Sequence, residues 1–286
     1  MKKDKIMVFI PVYNCEKQIT RVLSQINDDV LTYVDEIIVV NNLSTDNTVK
    51  VTQDYLLQHR ELPCKIINNN ANFNLGGSHK VAFNYALEND FDYVIVLHGD
   101  DQADIRDFLP ILKKRSYKRA DCVLGGRFES RSCLIGYSKK RILGNHVFNL
   151  IYSLAAGKSI RDMGSGLNMY STNMLKSKFY IGLSDSLYFN AEMLLFSAYY
   201  NVDFKFYPIT WREEDQVSNA KLFNLSYNLF VMALRYRLNK KKYIDSYCKK
   251  DIYIRERSFL IILLGENDEK FPFSNANGRQ GTALFQ

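Results

Sequence analysis

Short apolar runs alternate with longer segments of helical period between positions 6 and 101. Within 15–26, apolar residues recur at the three- and four-residue spacing of one helix face. The segment 44–58 shows helical spacing too, and Ser44 or Thr45 is predicted to cap it. The runs predict strands at 6–12, 35–42, 64–70 and 91–101, and helices at 15–26, 44–58 and 75–89.

This alternation predicts an α/β fold built on a mostly parallel central sheet. Right-handed crossovers between parallel strands place helices on both faces of such a sheet. Its ligands bind beyond the carboxyl ends of the strands. After Asp104 the pattern is looser. It predicts strands at 120–128, 167–171 and 202–211, helices at 141–157 and 184–201, and a polar loop at 212–221.

The last third of the chain predicts a helical tail on a single main domain. We assign residues 1–222 to the domain and 223–264 to an amphipathic, basic helical extension. An apolar face followed by Arg235, Arg237 and three lysines fits an anionic membrane surface, and it equally fits a core-packing helix with a solvated basic end. Residues 275–286 show no periodicity and resemble a disordered tail or the remnant of an expression tag.

Charge and cysteine content narrow the class of partner and the compartment. A net charge of +7 suits anionic partners such as nucleotides, lipid phosphates or an anionic membrane surface. No basic and aromatic motif of a nucleic-acid-binding module is present. Five scattered cysteines without a CxxC pair are typical of reduced thiols in the cytoplasm. No secretory signal is evident, and the apolar run at 259–264 is too short to span a membrane. A cytoplasmic protein, peripheral at most on the inner membrane face, is expected.

Three carboxylates and a histidine are grouped at the C-terminal end of the predicted strand at 91–101. His98, Asp100, Asp101 and Asp104 are crowded at its end. One interpretation is a solvated turn that caps the next helix. The other is a site for Mg²⁺ or Mn²⁺, in which the cation relieves the repulsion and grips the phosphates of a substrate. Imidazole is an acceptable ligand for Mn²⁺.

Eight motifs in order resemble the family 2 glycosyltransferases, particularly the branch of polyprenyl-phosphate sugar transferases. They are FIPVYNCE, IIVVNNLSTDNT, NFNLGGSHKVAFNYAL, VIVLHGDDQAD, GGRF, DMGSGLNMYS, NAEMLL and PITWREEDQVSNAKL. The resemblance implies a GT-A fold and inverting transfer of a sugar from a nucleoside-diphosphate donor. It also implies Mg²⁺ or Mn²⁺ as cofactor and a lipid-linked or glycan acceptor, as in polyprenyl-linked or cell-surface glycan synthesis.

The resemblance also implies roles for individual residues. Asp100 and His98 would be metal ligands, and Glu192 would be the general base that deprotonates an acceptor hydroxyl. The residues expected to bind the nucleotide and donor are Pro11, Tyr13, Glu16, Asn41, Gly76, Gly77, Lys80, His98, Asp100, Asp101, Gln102 and Arg127. Those expected to face the acceptor or the diphosphate are Ser165, Gly166, Trp211 and Arg212.

The chain departs from the family pattern at three places. Asn41 and Asn42 replace two acids, which leaves the identity of the base open. His98 replaces the first acid of the Asp-X-Asp motif. The REEDQVSNAK segment matches the prenyl-phosphate branch only in part, through Ser218 and Lys221.

Two other functions remain as alternatives. A sugar nucleotidyltransferase would carry a glycine-rich, basic loop after the first strand, where this chain has PVYNCEK. A degenerate relative that binds nucleotide without turnover would explain the changes at Asn41, Asn42 and His98.

Overall fold

The computed structural model describes residues 3–214, 222–248 and 259–263. The strands are β1 (Ile6–Val12), β2 (Glu36–Asn41), β3 (Cys64–Asn69), β4 (Tyr93–Leu97), β5 (Cys122–Gly126), β6 (Cys133–Ile135), β7 (Leu167–Ser171), β8 (Phe204–Pro208), β9 (Thr210–Arg212) and β10 (Phe259–Leu263). The α-helices are α1 (Ile19–Ser24), α2 (Asp28–Leu31), α3 (Thr48–Gln58), α4 (Asn74–Glu88), α5 (Leu109–Lys113), α6 (Lys139–Ala156), α7 (Thr172–Leu175), α8 (Phe189–Tyr199), α9 (Leu222–Leu238) and α10 (Lys240–Cys248).

The central sheet has the order β10-β3-β2-β1-β4-β7-β5-β8. Strand β7 runs antiparallel to β4 and β5, and β10 runs antiparallel to β3, whereas the other neighbours are parallel. The predicted α/β fold with a mostly parallel sheet is therefore confirmed. A parallel pair, β6 and β9, forms a separate small sheet.

The core lies on both faces of the sheet because successive strand side chains point to opposite sides. In β1, Met7 and Phe9 join one apolar cluster, which includes residues of α4, α6 and α8. Val8 and Ile10 join the other, which includes residues of α1 and α5. Both faces are therefore covered, and only the ends of the strands are free to carry a site.

Two local predictions were wrong. Helix α3 begins at Thr48, so neither Ser44 nor Thr45 caps it; the Ser44 hydroxyl instead accepts a hydrogen bond from Asn14 N at 3.0 Å. The strand predicted at 202–211 is interrupted at Ile209, where the chain leaves β8 and enters β9 of the small sheet. The predicted glycine stop of α6 is present, because Gly157 adopts a φ of 73° at its C-terminal end.

The segment predicted as a helical extension contains α9, α10 and a strand. Tyr236, Tyr243 and Ile244 of the two helices are buried in the same apolar cluster as α6 and α8. Beyond them, 259–263 pairs with the outer edge of β3, where the sequence predicted continued helix. Within 3–214 and 222–248, no helix combines the length and apolarity needed to cross a membrane. Ser218, Lys221 and the predicted tail at 275–286 lie outside the described residues.

Candidate active site

The carboxyl ends of β1, β2 and β4 meet at one edge of the sheet. Gly99 N donates to Pro11 O at 3.1 Å, which joins the turn after β4 to the end of β1. A Cβ on Gly99 would lie 2.5 Å from Val12 Cγ1 and 2.9 Å from Pro11 O, so only glycine allows this approach. The turn therefore places Asp100 beside the β1 loop, where the Tyr13 ring is 41% exposed.

Asp100 is a half-buried carboxylate at this edge. Its Oδ1 accepts a hydrogen bond from Gln102 N at 3.3 Å. Burial raises its pKa from 3.8 to about 6, and the neighbouring Asp101 carboxylate adds to the effect. The ionised form is thus disfavoured by its surroundings, and a bound cation would reverse that preference.

The other two acids are neutralised by basic side chains of the protein. Asp101, at a left-handed φ of 59°, accepts hydrogen bonds from Arg21 Nε at 2.6 Å and Gln25 Nε2 at 2.8 Å. Asp104 accepts from Arg106 at 2.6 Å and from Arg212 at 2.8 Å. Burial disfavours the charge on Asp104, but the hydrogen bonds from Arg106 and Arg212 hold its pKa below the usual value. The acid cluster thus consists of two structural ion pairs and one carboxylate, Asp100, of different character.

His98 packs beneath this edge against a second histidine. Its Nε2 is buried without a hydrogen-bond partner, as is Nε2 of His79, and the two ring centroids are 6.0 Å apart. Burial lowers the pKa of His98 to about 4 and that of His79 to about 3, so both rings are neutral at pH 7. A Cβ on Gly166 would lie 2.8 Å from His98 Cγ, which fixes the ring against the loop before β7.

These residues could supply part of a metal site. In the described part of the chain, no three His, Cys, Asp or Glu side chains are grouped as they would be around a metal ion. Mg²⁺ is commonly held by one or two carboxylates together with water and substrate phosphates. The donor set at Asp100 and His98 fits a cation that arrives with a diphosphate, and does not fit a cage made by the protein alone.

The two asparagines that replace acids join the loops at the ends of β2 and β3 by side-chain hydrogen bonds. Asn41 Nδ2 donates to Asn68 Oδ1 at 2.9 Å, and Asn41 Oδ1 accepts from Ser44 N at 3.0 Å. Asn42 Nδ2 donates to Asn72 Oδ1 at 2.7 Å. An aspartate could not donate in either place. The amides are therefore explained by the architecture of this edge.

Gly76, Gly77 and Lys80 connect α4 to the loop that precedes α8. Gly76 N donates to Asp185 O at 2.7 Å, and a Cβ there would lie 2.4 Å from Ser184 O. Gly77 N bonds Phe73 O at 3.1 Å. The Lys80 ammonium is 4% exposed and donates to Leu183 O and, at 2.8 Å, to Asp185 Oδ1. These residues make helix-to-loop contacts, and their predicted phosphate contacts stay a prediction.

Glu192 is deeply buried on α8. The residue is only 2% exposed. Its two carboxylate oxygens accept hydrogen bonds, one from Ser184 N at 2.6 Å and the other from the Tyr247 hydroxyl of α10 at 2.9 Å. The same loop that holds Lys80 is therefore fixed to α8 and α10 through this carboxylate. Its predicted role as general base stays a prediction.

Arg127, predicted to bind the donor, lies in a tightly bonded group with Trp211, which was predicted for the acceptor side. Arg127 binds Asp162 through Nε at 2.8 Å and Nη2 at 2.7 Å, and its guanidinium lies 4.8 Å from the ring centroid of Trp211. Trp211 is only 4% exposed. Burial disfavours the charge on Arg127, but Asp162 more than compensates and raises its pKa. Ser165 is also buried, and its Oγ accepts from Leu167 N at 3.1 Å.

The structure thus brings only part of the predicted set to one place. Pro11, Tyr13, Asn41 and Asp100 lie at the ends of β1, β2 and β4, and Glu16 is nearby, with its carboxylate bonded to Asn47 N at 3.1 Å. Sequence reasoning missed His79, Asp185 and Tyr247, because each meets its partner from a distant part of the chain. The only available signal was the run GGSHK, which placed His79 between two residues already selected.

Comparisons with known proteins agree on one family. The family model described as Glycosyl transferase family 2 matches residues 7–179. Dolichyl-phosphate beta-glucosyltransferase ALG5C of Trichomonas vaginalis is 22% identical over 251 residues, which cover 80% of this chain and 70% of that protein. An uncharacterized protein of Methanocaldococcus jannaschii, MJ1222, is 24% identical over 209 residues, 73% of this chain and 82% of that protein.

Two solved structures show the same fold. TarS of S. aureus in complex with UDP-GlcNAc superposes with a TM-score of 0.53 at 18% identity, covering 87% of this chain and 73% of that one. Glucosyl-3-phosphoglycerate synthase from Mycobacterium tuberculosis in complex with Mn²⁺ and UDP-glucose gives a TM-score of 0.55 at 16% identity, covering 82% and 79%. At these identities the likeness concerns the fold.

Proposed function

Since this chain belongs to glycosyl transferase family 2, we propose that it transfers a sugar, with inversion, from a nucleoside-diphosphate donor to a phosphate acceptor on a polyprenyl lipid. One observation carries the donor half of this proposal. Asp100, whose pKa is raised to about 6, lies at the carboxyl ends of the strands, in the turn that Gly99 N joins to Pro11 O before the exposed Tyr13. A cation that arrives with a nucleoside diphosphate would favour the ionised form of Asp100, and the flat base of the nucleotide could stack against Tyr13.

Each residue at this edge would contact a different part of the donor. Asp100, with His98 behind it, would hold Mg²⁺ or Mn²⁺, which supplies charge neutralisation to the diphosphate as it departs. Tyr13 packs against the base, and the Asn41 carbonyl, which already accepts from Ser44 N, keeps a second lone pair for a polar group of the nucleotide. Arg21 and Gln25 hold Asp101 away from the diphosphate, so its negative charge does not oppose binding.

The burial of Glu192 favours a phosphate acceptor over a sugar hydroxyl. A hydroxyl must lose a proton as it attacks the anomeric carbon, and a positioned base does that work. A phosphate oxyanion is already deprotonated. Because Glu192 bonds Ser184 N and the Tyr247 hydroxyl, it fits a positioning role that such an acceptor permits. The similarity to a dolichyl-phosphate glucosyltransferase supports the same choice.

Calorimetric titration tests the donor half. The protein is titrated with UDP, GDP, CDP and TDP, each with and without Mn²⁺. We expect one diphosphate to bind in a metal-dependent manner and Asp100→Asn to abolish the dependence. The matched control is Asp54→Asn, an exposed acid on α3, which should bind like the wild type.

Other results would point elsewhere. Metal-independent binding that Asp100→Asn leaves unchanged would favour the degenerate, binding-only relative suggested by Asn41, Asn42 and His98. Binding confined to nucleoside triphosphates would favour a nucleotidyltransferase.

A further inference from the structure

An apolar surface without charged residues lies on the outside of α6 and α9. Its members, which we call the α6–α9 face, are Leu143, Val147, Leu150, Leu154, Tyr227, Phe230, Leu234 and Leu238. All are exposed, and Leu143, Leu154 and Leu238 are 67%, 67% and 76% exposed. Exposed apolar side chains that occur singly are ordinary, whereas eight on two neighbouring helices form a patch that needs an occupant.

The eight side chains point to one side of the molecule. On α6 they recur at intervals of three and four residues, opposite the buried Tyr152 and Ala155. On α9 they have the same spacing, opposite Ala233 and Tyr236. Both buried stripes join one core cluster. The helices touch directly, since the Tyr152 hydroxyl bonds Leu229 O at 3.0 Å, so the two exposed stripes belong to neighbouring helices.

The charged residues of the two helices themselves are all basic. Neither helix contains Asp or Glu. The exposed Lys139 and Lys140 begin α6, while Arg235 and Arg237 are exposed in the last turn of α9 and are followed by Lys241 and Lys242. Two copies of this surface would bring like charges together. An anionic lipid surface instead offers acyl chains to the apolar centre and negative headgroups to the basic ends.

Helix α6 joins the face to the site through its opposite side. Asn145 is two residues from Leu143 and from Val147, about 200° of helix rotation from each, and its Oδ1 accepts a hydrogen bond from the Arg127 guanidinium at 3.2 Å. Arg127 in turn holds Asp162 of the loop before β7. A lipid-linked acceptor in the membrane would therefore meet the protein where α6 approaches these residues.

We propose that the α6–α9 face rests on an anionic bilayer surface and presents the site to a phosphate-bearing lipid in that membrane. The identity of the lipid acceptor rests on the proposed function, but docking does not. Because the helices are side by side and bury their opposite stripes in the core, they lie in the headgroup region and do not insert.

Vesicle co-sedimentation tests the docking. The full chain is mixed with vesicles of phosphatidylcholine alone, or of phosphatidylcholine with phosphatidylglycerol, at low and high salt. We expect pelleting with the anionic vesicles that weakens with salt. Leu150→Glu combined with Leu238→Glu should lower the partition coefficient by about tenfold or more, because two apolar anchors become charged. The control is Leu57→Glu, a leucine of α3 that is 52% exposed.

Equal pelleting by the double variant and the wild type, or no pelleting of the wild type, would overturn the proposal. So would a wild-type dimer that the double variant converts to a monomer in light scattering, because that result assigns the face to a second copy. Circular dichroism confirms that the variants are folded. Titration of the wild type and the double variant with UDP, GDP, CDP and TDP, each with Mn²⁺, separates the two proposals. If the double variant no longer docks but still binds nucleotide, the change concerns this face alone. If the wild type docks but binds no nucleotide, the docking proposal stands and the donor site is refuted.

Discussion

At the scale of the residue, three neighbouring acids behave differently because their partners differ. Asp101 and Asp104 face Arg21, Arg106 and Arg212, whereas Asp100 is disfavoured as an anion by burial. The sequence located the cluster and singled out Asp100, with His98, as an expected metal ligand, which stays a prediction. It could not show which carboxylates are neutralised, because those arginines come from α1, the loop after β4 and β9.

The raised pKa of Asp100 predicts a pH-dependent penalty on folding. The folded protein holds its proton more tightly than the unfolded chain, whose carboxyl titrates near 3.8, so stability falls as pH rises from there to about 6 and the full penalty is present above that. Asp100→Asn removes the penalty. We expect it to stabilise the metal-free protein by up to about 3 kcal/mol at neutral pH.

Urea unfolding at about pH 5 and about pH 8 measures this effect. The gain over wild type should be larger at the higher pH, and Asp54→Asn should show no such trend. A gain that does not depend on pH would mean that Asp100 is not desolvated.

Glu192 offers a second test at this scale. If it positions the loop and α10, Glu192→Gln places an amide against one of two donors and should cost about 1–3 kcal/mol of stability. Turnover should then fall by less than tenfold, with an unchanged pH profile. A general base would instead lose about 10²–10⁴ in kcat. Tyr247→Phe, which removes one of the donors, should reproduce the stability loss in part. A large kcat loss with normal stability in Glu192→Gln would restore the base assignment.

At the scale of the element, the first turns of helix α4 make contacts that the sequence could not predict. The glycines and lysine of its first turns resemble a phosphate-binding segment. The structure turns them toward the loop at 183–185, where the sequence predicted the start of a helix at 184. Such contacts between segments about a hundred residues apart leave no local pattern.

Two glycine substitutions distinguish the stability lost through steric overlap from the stability gained through helix propensity. Gly76→Ala would force a Cβ to 2.4 Å from Ser184 O and 2.8 Å from Phe189 Cβ, and we expect a loss of about 1–3 kcal/mol. Gly144 lies within α6 with nothing within 4 Å of the position of a Cβ. Gly144→Ala should therefore stabilise the protein by about 0.5–1 kcal/mol. Thermal unfolding of the pair checks both signs, and equal shifts would refute the packing argument.

At the scale of the whole molecule, the strand order was the least predictable feature. Periodicity located the strands because burial on both faces makes them apolar. It could not show that β7 lies between β4 and β5, since that depends on pairing between distant segments. Nor could it divide 223–264 into helices that join the core and a strand at the sheet edge. The family resemblance, which covers many positions at once, gave the fold more securely than any single pattern.

The buried positions of α9 and α10 predict that they unfold together with the sheet. Tyr236→Ala would empty a fully buried site and should cost about 3–5 kcal/mol. Trp211, the sole tryptophan, is buried in the apolar cluster on the other face of the sheet from Tyr236 and reports on the main domain. We expect the midpoint of urea unfolding followed by Trp211 fluorescence to shift. A midpoint unchanged from wild type would mean that the C-terminal helices unfold independently.

The insertion of β7 between β4 and β5 also matters while the chain is being synthesised. Strands β1 to β4 are complete once residue 97 has emerged, but the neighbour that covers β4 is more than seventy residues later. Until then a nascent chain presents an unpaired, apolar strand edge, which is a template for association with other chains. Ribosomes that pause between these two strands would prolong that exposure, so the spacing of β4 and β7 makes the yield of this protein sensitive to translation rate and to chaperones that bind nascent chains.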